Sequence, residues 1–266
     1  MKTYKRVLSI AGSDSGGGAG IQADIKAISA CGCYAATAIT AITAQNTLGV
    51  EAIEAIPAEM VERQIEAVVA DIGVDAVKIG MLPSRPTIEA VARIIVRHGL
   101  RNVVLDPVMV ATSGDRLIPE DAADALVSDL MPLATVFTPN IPEAEYITGL
   151  AIRTGREIET AAANLRERGA RNVLLKTGHL DTPHLTDSLF ADRAYRYTFE
   201  RIDTPNTHGT GCTLSSAIAA HLALGYPLPE AVGMAEEYLH KALQAGAEYT
   251  LGNGHGPVHH FFRCWD

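Results

Sequence analysis

Val7-Leu8-Ser9-Ile10-Ala11-Gly12-Ser13-Asp14-Ser15-Gly16-Gly17-Gly18-Ala19-Gly20-Ile21-Gln22-Ala23 sets the pattern that the rest of the chain repeats. Val7-Leu8-Ser9-Ile10 is short and mostly apolar, as a strand covered on both faces must be. Five glycines follow between positions 12 and 20. They let the backbone turn and approach other groups closely. Residues 21–30 then read as a helix.

Working outward, the same alternation continues. Residues 35–44 are rich in β-branched side chains and read as a strand. Pro57 opens a helix whose apolar positions are Met60, Val61, Ile65, Val68, Val69 and Ile72. Ala76-Val77-Lys78-Ile79 is the next strand, and 87–96 the next helix. Strands are expected at 102–105, 134–138 and 172–176, with a helix at 120–130. Residues 185–202 form two strand-like runs around Ala191-Asp192-Arg193, the signature of a hairpin. Helices at 211–224 and 228–247 close the pattern. Strands separated by helices of this length imply an α/β fold, a three-layer sandwich with a mostly parallel central sheet. With no linker, low-complexity tract or internal repeat, residues 1–266 read as a single domain.

The chain has 266 residues, of which 47% are hydrophobic, enough for one substantial core. A formal charge of -9 argues against nucleic-acid partners, which require an excess of Lys and Arg. There is no apolar run long enough to span a membrane and no signal-peptide core. The four cysteines show no metal spacing. Reduced thiols in a cytoplasmic protein are expected.

Ligands of open parallel sheets collect beyond the carboxyl ends of the strands, so the polar residues there carry the functional reading. Gly18-Ala19-Gly20-Ile21-Gln22-Ala23 fits a relaxed dinucleotide pattern. However, no acid falls at positions 25–50 to hold a ribose, and no GK[ST] ending makes it a phosphate loop. A tight turn and a substrate loop both remain open.

His208-Gly209-Thr210-Gly211-Cys212 precedes a helix whose unpaired amides would cradle an anion. In that first turn the helix field would lower the thiol pKa of Cys212. A base beside such a cradle suits transfer of an anionic group to a hydroxyl. The alternative is an ordinary buried cysteine. Asp106 and Glu143 lie just past expected strands, where carboxylates could hold Mg2+ directly or through water. Asn140 reads better as a helix cap. Lys176 reads as a phosphate contact or the partner of a carboxylate. His255, His259 and His260 read as packing or surface residues.

Taken in order, several motifs resemble the ribokinase superfamily, and within it the hydroxymethylpyrimidine and phosphomethylpyrimidine kinases of thiamine synthesis. They are Ala11-Gly12-Ser13-Asp14, Gly17-Gly18-Ala19-Gly20, Ala44-Gln45-Asn46-Thr47, Lys78-Ile79-Gly80-Met81 and Leu105-Asp106-Pro107. Thr138-Pro139-Asn140, Lys176-Thr177-Gly178-His179, His208-Gly209-Thr210-Gly211-Cys212-Thr213 and Gly256-Pro257-Val258-His259-His260 complete the set.

The resemblance implies a ribokinase-like sandwich and an ATP- and Mg2+-dependent kinase. It would phosphorylate 4-amino-5-hydroxymethyl-2-methylpyrimidine and then its monophosphate. It implies Gly209, Thr210 and Gly211 as the anion hole and Cys212 where most of the superfamily carries an aspartate. Gln45 would read the aminopyrimidine edge. Gly12, Ala19, Met81 and Val108 would be pocket walls, Asn140 and Lys176 phosphate contacts, and Asp106 and Glu143 the Mg2+ carboxylates. Residues 110–116 would be a lid, and the assembly a homodimer. A pyridoxal or pyridoxine kinase of the same branch is the nearest alternative. The intact Ala44-Gln45-Asn46 run and Ala111 in place of a lid cysteine count against it. A non-catalytic nucleotide- or vitamin-binding protein on the same fold would be expected to lose the metal carboxylates or the anion hole.

Overall fold

In the computed structural model, residues 2–109, 118–178 and 184–265 are described. Nine strands form one sheet in the order β3-β2-β1-β4-β5-β6-β7-β8-β9. They are β1 (Arg6–Asp14), β2 (Tyr34–Asn46), β3 (Gly49–Ala55), β4 (Ala76–Ile79), β5 (Val103–Leu105), β6 (Val136–Phe137), β7 (Val173–Leu175), β8 (His184–Phe190) and β9 (Ala194–Glu200). From β2 across to β7 neighbours run parallel, while β3, β8 and β9 pair antiparallel at the two edges.

The alternation of side chains along these strands separates two cores. Leu8, Ile10, Val77, Ile79, Leu105 and Phe137 pack on one side. They meet α2 (Ala58–Ala67), α3 (Arg85–His98), α4 (Glu120–Ala125), α5 (Ile141–Thr148) and α6 (Gly155–Glu167). Val7, Ala76, Val104, Val136 and Leu174 face the other way. There they meet α1 (Gly20–Ala30), α7 (Thr210–Leu224) and α8 (Leu228–Gly246). The central helix α7 is buried from Thr213 to Ala223, which explains its apolar circumference.

The hairpin turn at 191–193 and the two final helices lie where the sequence places them. Strand β3 and helix α6 were not expected. The side chains of β3 are mostly exposed on both faces, so no hydrophobic alternation marks it; pairing with β2 forms it. Helix α6 carries a local signal, because Glu157 accepts a hydrogen bond from the Thr154 N–H at 2.8 Å.

Strand β1 has β2 on one side and β4 on the other. Successive connections therefore leave β1 in opposite directions, which opens a crevice at its carboxyl end. The glycine loop 15–19 and the start of α7 meet there.

Candidate active site

Gly209 precedes helix α7 as its N-terminal cap, and its φ of 78° places it in the left-handed region. A Cβ there would lie 1.8 Å from the Gly18 carbonyl oxygen, so the two glycine segments touch backbone to backbone. The Thr210 N–H donates to the Thr207 carbonyl at 3.3 Å, and the Gly211 and Cys212 amides that follow, in a turn that has no earlier helical carbonyls, stand at the wall of a large cavity. Together with the helix dipole they form a site suited to an anionic group.

The loop after β1 does not offer its amides in the same way. Asp14 Oδ1 accepts from the Gly16 N–H at 2.7 Å, and Oδ2 accepts from Gly18 at 3.0 Å and Ala19 at 2.8 Å. His208 Nε2 lies 2.9 Å from the same Oδ2. Burial works against the Asp14 charge, but the His208 and amide contacts outweigh it and hold the carboxyl below its usual range. This loop is therefore neither a bare turn nor a dinucleotide cradle. It is folded around a carboxylate that ties it to His208 on the other glycine segment. Asp14 and His208 stand inside recognisable motifs, yet their pairing is visible only across 194 residues of sequence.

Cys212 sits half-buried in the first turn of α7 and faces the cavity. The expected lowering of its pKa is not what the structure gives. Burial dominates and pushes the thiol up to about 11, with Lys78 and a hydrogen bond from the Gly20 N–H opposing that rise. A helix start favours a thiolate only to the extent that the sulfur is solvated, and here it is largely enclosed.

Lys176, past β7, and Asp106, past β5, form a 2.7 Å ion pair directly under Gly211. A Cβ on Gly211 would come within 3.3 Å of Lys176 Nζ and 3.5 Å of Asp106 Oδ2. Asp106 also accepts from Thr138 at 3.3 Å and Ser215 at 3.4 Å. Of the two sequence readings of Lys176, the structure shows the carboxylate partner, with the paired cation beside the start of α7. Asn140 caps α5 through Oδ1, which accepts from the Glu143 N–H at 2.9 Å, while Glu143 accepts from the Asn140 N–H at 2.8 Å. Burial pushes the Glu143 carboxyl up to about 7, against the pull of Lys176.

Gly12, Met81 and Gln45 line another part of the crevice. Gly12 lies against Met81, with a hypothetical Cβ 3.0 Å from the Met81 Cε. Thr40 donates to the Met81 carbonyl at 2.7 Å and holds that wall. Gln45, at the end of β2, is anchored through its backbone to Ser15 and accepts at Oε1 from Thr43 at 3.1 Å. Its Nε2 lies 3.4 Å from His208. Gly12, Ala19, Gln45, Met81 and Val108 share a cavity of about 820 Å3 with Asp106, Asn140, Glu143, Lys176 and the segment 209–212.

Residues 14–259 match the sequence profile of the phosphomethylpyrimidine kinases. The chain belongs to that family. A hydroxymethylpyrimidine/phosphomethylpyrimidine kinase of Rhizobium meliloti is 56% identical over 261 residues, covering 97% of each chain. The phosphomethylpyrimidine kinase of Clostridium difficile superposes with a TM-score of 0.80 at 43% identity, covering 91% of this chain and 99% of that one. A Bacillus subtilis pyridoxal kinase solved as an ADP complex superposes with a TM-score of 0.90 at 38% identity, covering 97% and 98%. One backbone thus serves two named activities, so substrate choice must be read from side chains.

The cavity extends past Lys176 to a region that the sequence did not disclose. Leu185 and Phe199 of the β8–β9 hairpin, Ile202 just past it, and Leu239, His240 and Leu243 of α8 line it. Phe199 and His240 stack with ring centroids 4.9 Å apart. Beside them Asp187 accepts from the Thr177 N–H at 2.7 Å, and burial holds the neighbouring Glu236 well above its ordinary value. These residues are scattered among ordinary strand and helix positions, and only the tertiary fold gathers them.

The three tail histidines are packing and surface groups. His260 is buried 3.0 Å from Thr213 Oγ1, His259 packs on Tyr249 and Trp265, and His255 lies 3.1 Å from the Pro205 carbonyl. All four cysteines are free. No helix among the described residues is long and apolar enough to cross a membrane. The expected lid 110–116, with Ala111, and the motif residue His179 lie outside the described residues.

Proposed function

We propose that this chain, acting as one kinase domain, transfers the γ-phosphoryl group of ATP first to 4-amino-5-hydroxymethyl-2-methylpyrimidine and then to the resulting monophosphate, for thiamine synthesis. The observation that carries this reading is one continuous cavity in which Gln45 stands at one end, the amides of residues 209–212 in the middle and the apolar Phe199–Leu243 region at the other. A flat base fits the apolar end. The phosphate chain would then lie along Lys176 and the start of α7, bringing the γ-phosphate against the thiol.

Gln45 has the donor and acceptor needed to pair with a pyrimidine ring nitrogen and its amino neighbour. Gly12, Ala19, Met81 and Val108 enclose the ring, and Asn140 and Lys176 contact phosphate oxygens. Cys212 takes the hydroxymethyl proton, and Gly209 to Gly211 stabilise the charge that gathers on the phosphoryl oxygens. The donor set fits Mg2+: Asp106 and Glu143 are two buried carboxylates beside the anion cradle. Among the described residues no three His, Cys, Asp or Glu side chains form a metal cage. Mg2+ bound there would take its remaining ligands from phosphate oxygens and water, its usual habit in nucleotide sites, and would neutralise phosphate charge.

Pyridoxal phosphorylation is the second reading, favoured by the overlay with the pyridoxal kinase and opposed by Gln45 within Ala44-Gln45-Asn46. We expect a homodimer in a reducing cytoplasm, which sedimentation of the purified protein would test. The deciding assay compares ATP-dependent turnover of the pyrimidine alcohol, its monophosphate and pyridoxal at equal concentrations. Faster turnover of pyridoxal than of the alcohol overturns the assignment.

A further inference from the structure

Lys78 occupies the centre of the sheet on β4 and is fully buried, an unusual place for an ammonium group. Its Nζ meets Asp24 Oδ1 at 2.8 Å and Oδ2 at 2.9 Å, and neither side chain has any exposure. Asp24 comes from α1. It also accepts from Ser9 Oγ of β1 at 2.5 Å and Ser216 Oγ of α7 at 2.7 Å. A fully buried pair of this kind is poor stabilising currency, because apolar residues of similar volume usually serve at least as well. Its position suggests another use.

Lys78 and Cys212 line the same cavity. Gly80 keeps space for the ammonium: a Cβ there would lie 2.8 Å from Lys78 Nζ. Helix α1 serves both groups, offering the Gly20 N–H to the sulfur and Asp24 to the lysine. The charged groups acting on the thiol are Lys78 from β4, Asp24 from α1 and Asp106 past β5; of these only Lys78 favours the thiolate. Burial opposes the Lys78 charge, but Asp24, then Cys212 and Asp106, outweigh it and keep the lysine protonated.

We propose that Lys78, held by Asp24, is a positioning residue that sets the thiolate population of Cys212 and thereby the rate of the alcohol phosphorylation. The inference rests on the function proposed above. In the alcohol step the thiolate takes the hydroxymethyl proton as the oxygen attacks the γ-phosphorus. The P–O bond to ADP breaks, and ADP leaves with the electron pair. In the second step the attacking phosphate oxygen is already anionic and has no proton to surrender, so Lys78 has no lever on it.

The test is the pH dependence of Cys212 alkylation by iodoacetamide, read on the Cys212 peptide by mass, together with single-turnover rates of both steps. Lys78→Met should move the alkylation profile up by about one pH unit, a tenfold loss of thiolate. At pH 8 Lys78→Met should slow the alcohol step about tenfold and the monophosphate step less than about twofold.

A merely structural pair would lower both steps together and leave the thiol profile in place; either result overturns the proposal. If Lys78→Met does not fold, Lys78→Met with Asp24→Asn restores neutrality, leaves Ser9 and Ser216 an oxygen to donate to, and must still slow the alcohol step selectively. A wild-type protein that phosphorylates neither pyrimidine overturns the proposed function, whereas the alkylation profiles of the variants still decide the role of Lys78.

Discussion

Replacing Cys212 by alanine separates the two phosphorylations, and the structure supplies the size of the effect. Burial pushes the thiol up to about 11. At pH 8 about one thiol in a thousand is therefore ionised, which costs the alcohol step about 4 kcal/mol of its potential rate. The wild-type alcohol step should climb about tenfold per pH unit between pH 7 and 9, because the reactive form is the minor one throughout that range. Removing the sulfur should cost the alcohol step about 10²- to 10³-fold at pH 8, the range of a positioned general base, and should flatten its pH slope. The monophosphate step should change only a few-fold and show no such slope in either protein. Single-turnover experiments started separately from the alcohol and the monophosphate, with ADP measured by rapid quench, distinguish these outcomes. Equal losses in both steps, or a Cys212→Ala protein that keeps the tenfold slope, would refute the assignment of the thiol as base.

Gly209→Ala places a methyl group 1.8 Å from the Gly18 carbonyl oxygen at a φ of 78°, so the two glycine segments must part. The left-handed conformation alone costs about 1–2 kcal/mol, and both phosphorylations should fall at least about tenfold, with a lower Tm by calorimetry. Gln45→Leu should raise the pyrimidine KM about tenfold and leave the ATP KM unchanged in steady-state assays, since a buried ring edge loses its partner. His260 is held neutral by burial, with its pKa lowered from 6.5 to about 4. Below the ordinary histidine value the unfolded chain takes up a proton that the folded protein refuses, so stability falls as pH drops from about 6.5 toward 4. That contribution amounts to about 3 kcal/mol across the window, and His260→Gln should remove it from the slope of urea-unfolding free energy against pH.

The alternation of strand and helix is a local property, and apolar periodicity with glycine and proline punctuation made it readable. So were the motifs that end the strands, since a sheet of this class gathers whatever its loops carry to one edge. Gly209 to Cys212, Asp106 and Lys176 needed no coordinates to be singled out, because they stand at strand and helix ends, and Gln45 was marked by the family resemblance. Strand β3 escaped because it has almost no buried face, and pairing with β2 alone creates it.

Tertiary structure decided the electrostatics. The Asp14–His208 contact, the Lys78–Asp24 pair and the enclosure of the Cys212 sulfur each join segments far apart in the chain. A pKa depends on the distance to other charges and on the water that burial removes, neither of which a linear sequence records. The apolar wall of Phe199, Leu239 and Leu243 was hidden for the same reason: such residues build any core, and only their arrangement beside Lys176 turns them into the end of a cavity.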